Sequence, residues 1–207
     1  SGSPDIGGSR ASIGMMVAEV LGVDATRVRT TISDTASIGF THLTGGSRVT
    51  FATGMAATQA AERVVDELKK RAAMIWEIQP DAVEWKDGKA FPAGSNAGAF
   101  EPLDLEALAL KAARTGGPIN AEVSVNAQGA GAGFGAHICD VSVDKETGHV
   151  KITKLVNVVD CGKAINPKIV ETQISGAALM HVGFTMFEKM HLDGGQVTNA
   201  SLADYKI

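Results

Sequence analysis

Apolar residues recur at helical spacing in three stretches, and flanking residues indicate where each helix ends. One face of the first helix would carry Ile13, Met16, Val17, Val20 and Leu21. Gly22 is its expected stop. The second helix should run from Ser47 to about Trp76, before Pro80, with a core-facing row of Val64, Val65, Leu68, Ala72 and Ile75. The third should begin at Asn166-Pro167 and reach about Met190.

Alternating apolar and polar residues predict strands elsewhere. A short hairpin is expected over 83–91 around Asp87-Gly88, and a long antiparallel hairpin should pair 138–143 with 150–159. The remaining segments divide into strands over 28–33 and 121–125, a loop over 34–46 and a short helix over 103–114. Helices interleaved with hairpins, and too few β–α–β units for a doubly wound sheet, predict an α+β fold of layered helices and antiparallel or mixed sheets.

Composition narrows the classes of function. The 207 residues, 44% of them hydrophobic, can bury a core as one domain or two small lobes. A net charge of −4 without a basic run argues against nucleic acid as a partner. No apolar stretch approaches the roughly 20 residues of a membrane span, so we expect a soluble, cytoplasmic protein. With 24 glycines, the chain can bring its backbone close to a ligand.

The sequence contains no pattern typical of a metal site. Cys139 and Cys161 are far apart and form no CxxC motif, and the five histidines show no metal-binding spacing. We therefore expect reduced cysteines and no metal ligands from this chain. Any metal would have to arrive with its own ligand set.

Two glycine-rich loops that lead into helices are candidate anion sites, because free N–H groups and the helix dipole attract negative charge there. The first contains Gly7 and Gly8; its alternative interpretation is a plain turn capped by Asp5 or Ser9. The second runs from Thr44 to Thr50 and includes a fixed cation, Arg48. Each loop alone is a weak signal. A phosphate-bearing or heteroaromatic ligand held between two helix N-termini would explain both.

Two further motifs could each indicate a ligand-binding site. Residues 131–136 satisfy the dinucleotide pattern GxGxxA, but an alternating strand follows where that fold needs a helix, so we reject a Rossmann site. Gln173 lies among apolar and small residues of the third helix. Its carboxamide can donate and accept hydrogen bonds at the edge of a heterocycle; the alternative is an exposed helical glutamine.

Four stretches together resemble the large subunit of molybdenum hydroxylases, the family of xanthine dehydrogenase, aldehyde oxidase and aerobic carbon monoxide dehydrogenase. They follow the family order along nearly the whole chain. The stretches are Asp5-Ile6-Gly7-Gly8-Ser9-Arg10 with Ala18-Glu19-Val20-Leu21-Gly22; Asp34-Thr35 with Gly46-Ser47-Arg48; Val141-Ser142-Val143-Asp144 with Glu146-Thr147-Gly148; and Val159-Asp160-Cys161-Gly162 with Ile165-Asn166-Pro167 and Val170-Glu171-Thr172-Gln173-Ile174-Ser175-Gly176. The first loop is one residue shorter than is usual in the family.

The resemblance implies that residues 1–207 are a partial molybdopterin-binding domain. It assigns cofactor contacts to Gly7, Gly8, Ser9, Arg10, Thr44, Gly45, Gly46, Ser47, Arg48 and Gln173. The implied cofactor is molybdenum-molybdopterin, in its dinucleotide form. The implied partners are the rest of the large subunit and FAD-binding and 2Fe-2S subunits or domains.

The implied reaction is hydroxylation of a carbon of a heterocycle or aldehyde, with water as the oxygen source. The family's general-base glutamate lies beyond Ile207, so we expect no catalytic residue here and an inactive isolated chain. Glu171 and Glu188 are expected to be surface charges of the third helix. Two alternatives stay open: a cofactor-free assembly or binding module with the same fold, and a small enzyme acting on a phosphorylated substrate. The second should show a paired base and nucleophile, and none is visible.

Overall fold

The computed structural model describes residues 1–32, 34–38, 40–129 and 131–207. The chain divides into two compact units, Ser1–Gly129 (unit 1) and Ala130–Ile207 (unit 2). Each unit is described by itself. The prediction of one partial domain over 1–207 stays a prediction.

Two packed helices form one layer of unit 1. Helix α1 spans Ser9–Leu21 and ends at Gly22 as predicted, and helix α2 spans Val49–Trp76. Helix α2 begins two residues later than predicted, because the preceding Gly46 and Ser47 have φ angles of 66° and 56°, outside the helical region. The helices approach closely at Gly54, where an added Cβ would lie 2.5 Å from the Met16 Sδ atom.

An antiparallel sheet packs against α2. Strands β1 (Val83–Lys86) and β2 (Lys89–Pro92) form the predicted hairpin, and β3 (Leu103–Asp104) pairs with β2. The core between α2, the sheet and the following helix consists of Leu68, Ala72, Ala73, Trp76, Val83, Ala90, Leu103 and Leu108. The Trp85 indole N–H donates to the Leu21 carbonyl at 3.0 Å, which ties the end of α1 to this sheet.

The helix predicted over 103–114 is shorter and interrupted. Residues 103 and 104 form β3, and the Asp104 carboxylate accepts from the Ala107 N–H at 2.8 Å, so it caps a helix that starts one residue after it. The observed elements are α3 (Leu105–Leu110) and α4 (Ala112–Thr115), with Lys111 between them.

Unit 2 contains a long hairpin, one helix and a short terminal hairpin. Strand β4 (Phe134–Val143) pairs antiparallel with β5 (Val150–Asp160), with a bulge between Asp140 and Val141. This confirms the predicted hairpin and extends it by four residues at its start. Residues 131–133 precede β4 and residues 134–136 already belong to this strand, so the dinucleotide motif lacks the helix it would need.

Helix α5 (Pro167–Met186) begins where predicted, with the Asn166 side chain accepting from the Ile169 N–H at 3.4 Å. It ends four residues earlier than predicted, because the N–H groups of Phe187 and Glu188 both donate to the Gly183 carbonyl and close the last turn. The final hairpin consists of β6 (Leu192–Asp193) and β7 (Gln196–Val197).

Two predicted strands are not paired. Segments 28–32 and 121–125 join no sheet in the described parts of the chain, and Ser33, predicted to end the first, lies outside them. The loop predicted over 34–46 contains no helix or strand at its described positions, Gly39 being outside them. The α+β class is confirmed, and the sheets formed by the described residues are all antiparallel rather than mixed. None of the helices in these ranges combines the length and apolar character required to cross a membrane.

Candidate functional site

The first predicted loop is capped by its own side chains. The Arg10 N–H donates to Asp5 Oδ1 at 3.0 Å, and Arg10 Nε lies 3.1 Å from Asp5 Oδ2. Ser9 is buried, and its hydroxyl donates to the Pro4 carbonyl at 3.3 Å. Because a carboxylate already occupies the start of α1, an added ligand would meet the backbone at Gly7 and Gly8 and the exposed Arg10 guanidinium.

The N-terminus of α2 has no such cap. No side chain bonds to its first turn, and no acceptor for the backbone N–H groups of Val49, Thr50 and Phe51 is found among the described residues. Three free donors combine with the positive end of a 28-residue helix dipole. This end of α2 can therefore accept an anion without displacing any internal group.

The loop before α2 leaves open space beside its backbone. Gly46 and Ser47 both have left-handed backbone angles, and an added Cβ on Gly46 would meet nothing within 4 Å. Ser47 is exposed, whereas Thr44, Gly45 and Arg48 are half-buried. A flat ligand can thus approach the main chain at Gly46 while Ser47 offers a hydroxyl and Arg48 a positive charge.

A cleft of about 570 Å³ adjoins this loop within unit 1. The start of α2 contributes Arg48, Val49, Ala52 and Thr53. The rest of its lining comes from Ser1, Ser3, Ala56 and segments 40–43 and 123–127. A 2.8 Å hydrogen bond joins the hydroxyls of Ser3 and Thr53, and Phe40 contacts His42 edge-on at 6.5 Å between ring centroids. Arg48 lines this cleft, and residues 7–10 do not.

Sequence reasoning missed His42 and Asn126 as cleft residues. They are 84 positions apart in the printed sequence and belong to irregular segments, so no local spacing relates them. The alternation around Asn126 is the one available signal, because it marks an extended segment that can lie along another element.

Gln173 lies in a different unit from both loops. It is exposed on α5 in unit 2, so its carboxamide is accessible to a ligand. Its assignment as a cofactor contact stays a prediction.

The described residues provide no protein metal centre. No group of three or more His, Cys, Asp or Glu side chains in these residues could hold a metal ion, and both cysteines are free and exposed. Glu171 is exposed on α5. Glu188 lies just beyond the helix and accepts a hydrogen bond from the Tyr205 hydroxyl at 2.9 Å, which raises the pKa of Tyr205 above its usual 10.0. Neither carboxylate lines the 570 Å³ cleft.

Comparison with known proteins shows the family of this chain. All 207 residues match the profile of a family described as a molybdopterin cofactor-binding domain. The chain belongs to this family. The resemblance inferred from the four sequence stretches is thereby confirmed, and with it the likeness to molybdenum-dependent oxidoreductases.

Individual relatives agree. The domain is 29% identical over 214 aligned residues to a xanthine dehydrogenase molybdenum-binding subunit of Escherichia coli O157:H7, covering 100% of this chain and 28% of that protein. It is 25% identical over 210 residues to the carbon monoxide dehydrogenase large chain of Hydrogenophaga pseudoflava, covering 96% and 25%. The chain thus spans about a quarter of the length of these relatives.

Solved structures share the fold. Quinoline 2-oxidoreductase from Pseudomonas putida 86 superposes with a TM-score of 0.82 at 27% identity, over 100% of this chain and 27% of that one. Carbon monoxide dehydrogenase from Oligotropha carboxidovorans superposes with a TM-score of 0.86 at 23% identity, over 99% and 26%. At 23% identity, the likeness to this carbon monoxide dehydrogenase shows a shared fold alone.

Proposed function

We propose that this domain contributes part of the molybdenum-cofactor site of an oxidoreductase that hydroxylates a carbon of a heterocycle or aldehyde with water. The observation that carries the proposal is the uncapped N-terminus of α2 behind the open loop at 44–48. A pterin that bears phosphate groups needs anion donors beside space for a flat ring, and this loop offers both.

The residues present fit such a group. The N–H groups of Val49, Thr50 and Phe51 and the Arg48 guanidinium would bind phosphate oxygens, and the backbone at Gly45 and Gly46 would face the pterin, with Thr44 and Ser47 as hydroxyl partners. When bound, the molybdenum cofactor supplies the oxidation-reduction chemistry. This chain binds and orients it.

The first loop and Gln173 supply weaker contacts in the proposal. Gly7, Gly8 and Ser9 would offer backbone groups, and Arg10, whose side chain is 57% exposed, can exchange its ion pair with Asp5 for a phosphate. The Gln173 carboxamide would fix a heterocycle edge through one donor and one acceptor. We propose the dinucleotide form of the cofactor, as the family resemblance implies.

The rest of the reaction is assigned to other parts of a cytoplasmic complex. Glu171 and Glu188 lie outside the cleft, so the base that activates water is proposed to come from the remainder of the large subunit. Electrons would leave through 2Fe-2S and FAD groups on partner domains or subunits. The 207-residue chain alone is expected to be catalytically inactive.

Substitution of Arg48 in the complete subunit tests the proposal. Arg48→Ala should lower the bound molybdenum and pterin per protein, with affinity reduced about tenfold or more, because a charge-assisted hydrogen bond contributes about 1.5–3 kcal/mol. Arg27→Ala is the matched control, since Arg27 forms an exposed ion pair with Glu106 at 3.7 Å. Elemental analysis and pterin fluorescence after dialysis measure both variants.

Equal retention in the two variants would remove Arg48 from the site. Absence of molybdenum and pterin from the wild-type assembly would remove the cofactor role itself. That outcome would favour the cofactor-free assembly module, for which the internal capping of the first loop by Asp5 is the supporting observation.

A further inference from the structure

Two segments of unit 1 have the side-chain pattern of β-strands. From Ile119 to Ala127, every odd-numbered residue is half-buried and every even-numbered residue is exposed. Segment 28–32 behaves in the same way, with Val28, Thr30 and Ile32 half-buried and Arg29 and Thr31 exposed. Period-two burial is the signature of an extended strand that lies with one face on a core.

Neither segment has the hydrogen bonds of a strand. Within the described chain, residues 119–127 take part in no backbone–backbone hydrogen bond, and residues 28–32 in only one, from the Val28 N–H to the Ala25 carbonyl. The other contacts come from end groups and side chains: Arg63 to the Glu122 carbonyl, and the Ser1 ammonium to the Thr31 carbonyl. Among the described residues, most main-chain donors and acceptors of both segments therefore have no protein partner, as at the edge of a sheet.

Both segments line one cleft. Its volume is about 720 Å³, and its lining includes residues 28–31 and 120–124. Apolar side chains of the two packed helices line it as well, namely Ile13 and Val17 of α1 and Ala56 and Ala57 of α2. The two helices and the two extended segments thus meet at one cleft, and neither segment joins a sheet within the described residues.

We infer that this cleft takes an extended β-strand from the remainder of the large subunit, which adds to residues 28–32 and 119–127 through main-chain hydrogen bonds. The inference rests on the proposed function, in that it requires a larger subunit. The relatives have about three quarters of their length outside the matched region, so chain to supply the strand exists in them. The incoming strand should alternate, with apolar side chains on the face toward Ile13, Val17 and Ala56.

Hydrogen exchange of the complete subunit, read by mass spectrometry with residue-level fragmentation, tests the inference. Amides in 28–32 and 119–127 should exchange at least about a hundredfold more slowly than in an unstructured chain, as ladder amides do. Strands β4 and β5 serve as the internal reference, because their pairing is already complete within this chain. Molybdenum content is measured on the same sample.

Proline substitutions provide a second test. The N–H groups of neighbouring strand residues point to opposite sides, so one of Val123 and Ser124 must donate into the cleft if a strand binds there. Val123→Pro or Ser124→Pro should then abolish slow exchange across 119–127, while Val123→Ala and Ser124→Ala, which keep the N–H, should not. If neither proline substitution speeds exchange across 119–127, the inference is overturned.

Three other outcomes would also overturn it. Fast exchange across both segments in the complete subunit means that the cleft stays open. Slow exchange that disappears when the cofactor is removed means that the cofactor fills it. Slow exchange in the 207-residue chain that is lost on dilution means that a second copy of the chain fills the cleft. Fast exchange in a subunit that retains molybdenum would reject the added strand and leave the cofactor role intact. Slow exchange in a subunit that holds neither molybdenum nor pterin would support the added strand and reject the cofactor role.

Discussion

The two units differ in where their apolar side chains lie. In unit 1, α2 and the three-stranded sheet enclose a core that includes Leu68, Trp76 and Val83. In unit 2, the only buried residues among those described are Gly183 and Asn199. Large apolar side chains are exposed there instead, including Phe134, Ile138, Leu179, Met180, Phe184 and Phe187. Unit 1 carries its own hydrophobic stabilisation, whereas the helix and hairpin of unit 2 have apolar faces suited to burial against other protein.

Matched leucine truncations should give the largest effect. Leu68→Ala removes a side chain that is 4% exposed and should cost about 2–5 kcal/mol of unfolding free energy. Leu179→Ala removes one that is 71% exposed and should cost less than about 0.5 kcal/mol in the isolated chain. Urea unfolding of unit 1 can be followed by tryptophan fluorescence, because Trp76 and Trp85 both belong to it, and unfolding of unit 2 by far-ultraviolet circular dichroism of its helix and hairpin.

If Leu179→Ala greatly lowers the unfolding free energy of the isolated chain, unit 2 has a core of its own under those conditions. The contrast between the two units would then be wrong. If the same substitution becomes costly only in the complete subunit, the contrast is sharpened, because α5 is then buried by assembly.

The N-terminal caps of α1 and α5 should differ in their contribution to the unfolding free energy, by less than the two leucines do. Asp5→Ala removes a 3.0 Å cap and an ion pair at α1 in unit 1 and should cost about 1 kcal/mol. Asn166→Ala removes a 3.4 Å contact at α5 in unit 2 and should cost less. Asp5→Asn, which keeps an acceptor but no charge, should fall between Asp5→Ala and the wild type. Amide exchange in the first turn of each helix measures the difference, and an equal cost at the two caps would contradict it.

The Tyr205–Glu188 bond should give the smallest effect. Hydrogen bonding to Glu188 raises the pKa of Tyr205 above 10.0, so it favours the neutral phenol in the folded state. Its stabilisation is complete below the unfolded pKa and is lost as pH rises through the folded pKa. Because Tyr205 is the single tyrosine, absorbance of the phenolate reports it directly. Glu188→Gln should lower the midpoint pH of phenolate formation at Tyr205 toward 10. An unchanged midpoint would show that the Tyr205–Glu188 hydrogen bond is not formed in solution.

Local sequence was sufficient for elements whose partners are close in the chain. The Asp87-Gly88 hairpin and the β4–β5 hairpin were predicted, as were Val64, Leu68, Ala72 and Ile75 on the core face of α2, since turn chemistry and periodicity determine them within a few residues. Val65, predicted for the same row, is half-buried but is not part of that core. The alternation predicted over 28–33 and 121–125 is seen in the burial of the described residues 28–32 and 121–125, but the predicted strands are not paired, because a ladder requires a neighbour that periodicity cannot locate.

The candidate site was predicted in part for the same reason. Both loops lead into helices as expected, and the cap by Asp5 at α1 matches the alternative interpretation of the first loop, but sequence alone could not tell that the N-terminus of α2 stays free. The cleft beside Arg48 also depends on segments 40–43 and 123–127, which meet it only in the folded unit. Such distant contacts arise from tertiary packing, and the alternation around Asn126 is their one local signal.

The placement of the two free cysteines makes this protein easy to label selectively. Cys139 and Cys161 are both exposed and both belong to unit 2, so a maleimide dye would mark that unit and leave unit 1 unmodified. The two tryptophans, in unit 1, would then act as energy donors to an acceptor dye confined to unit 2. Cys139→Ser or Cys161→Ser leaves a single attachment point, and the transfer efficiency then reports the distance between that dye and the tryptophans.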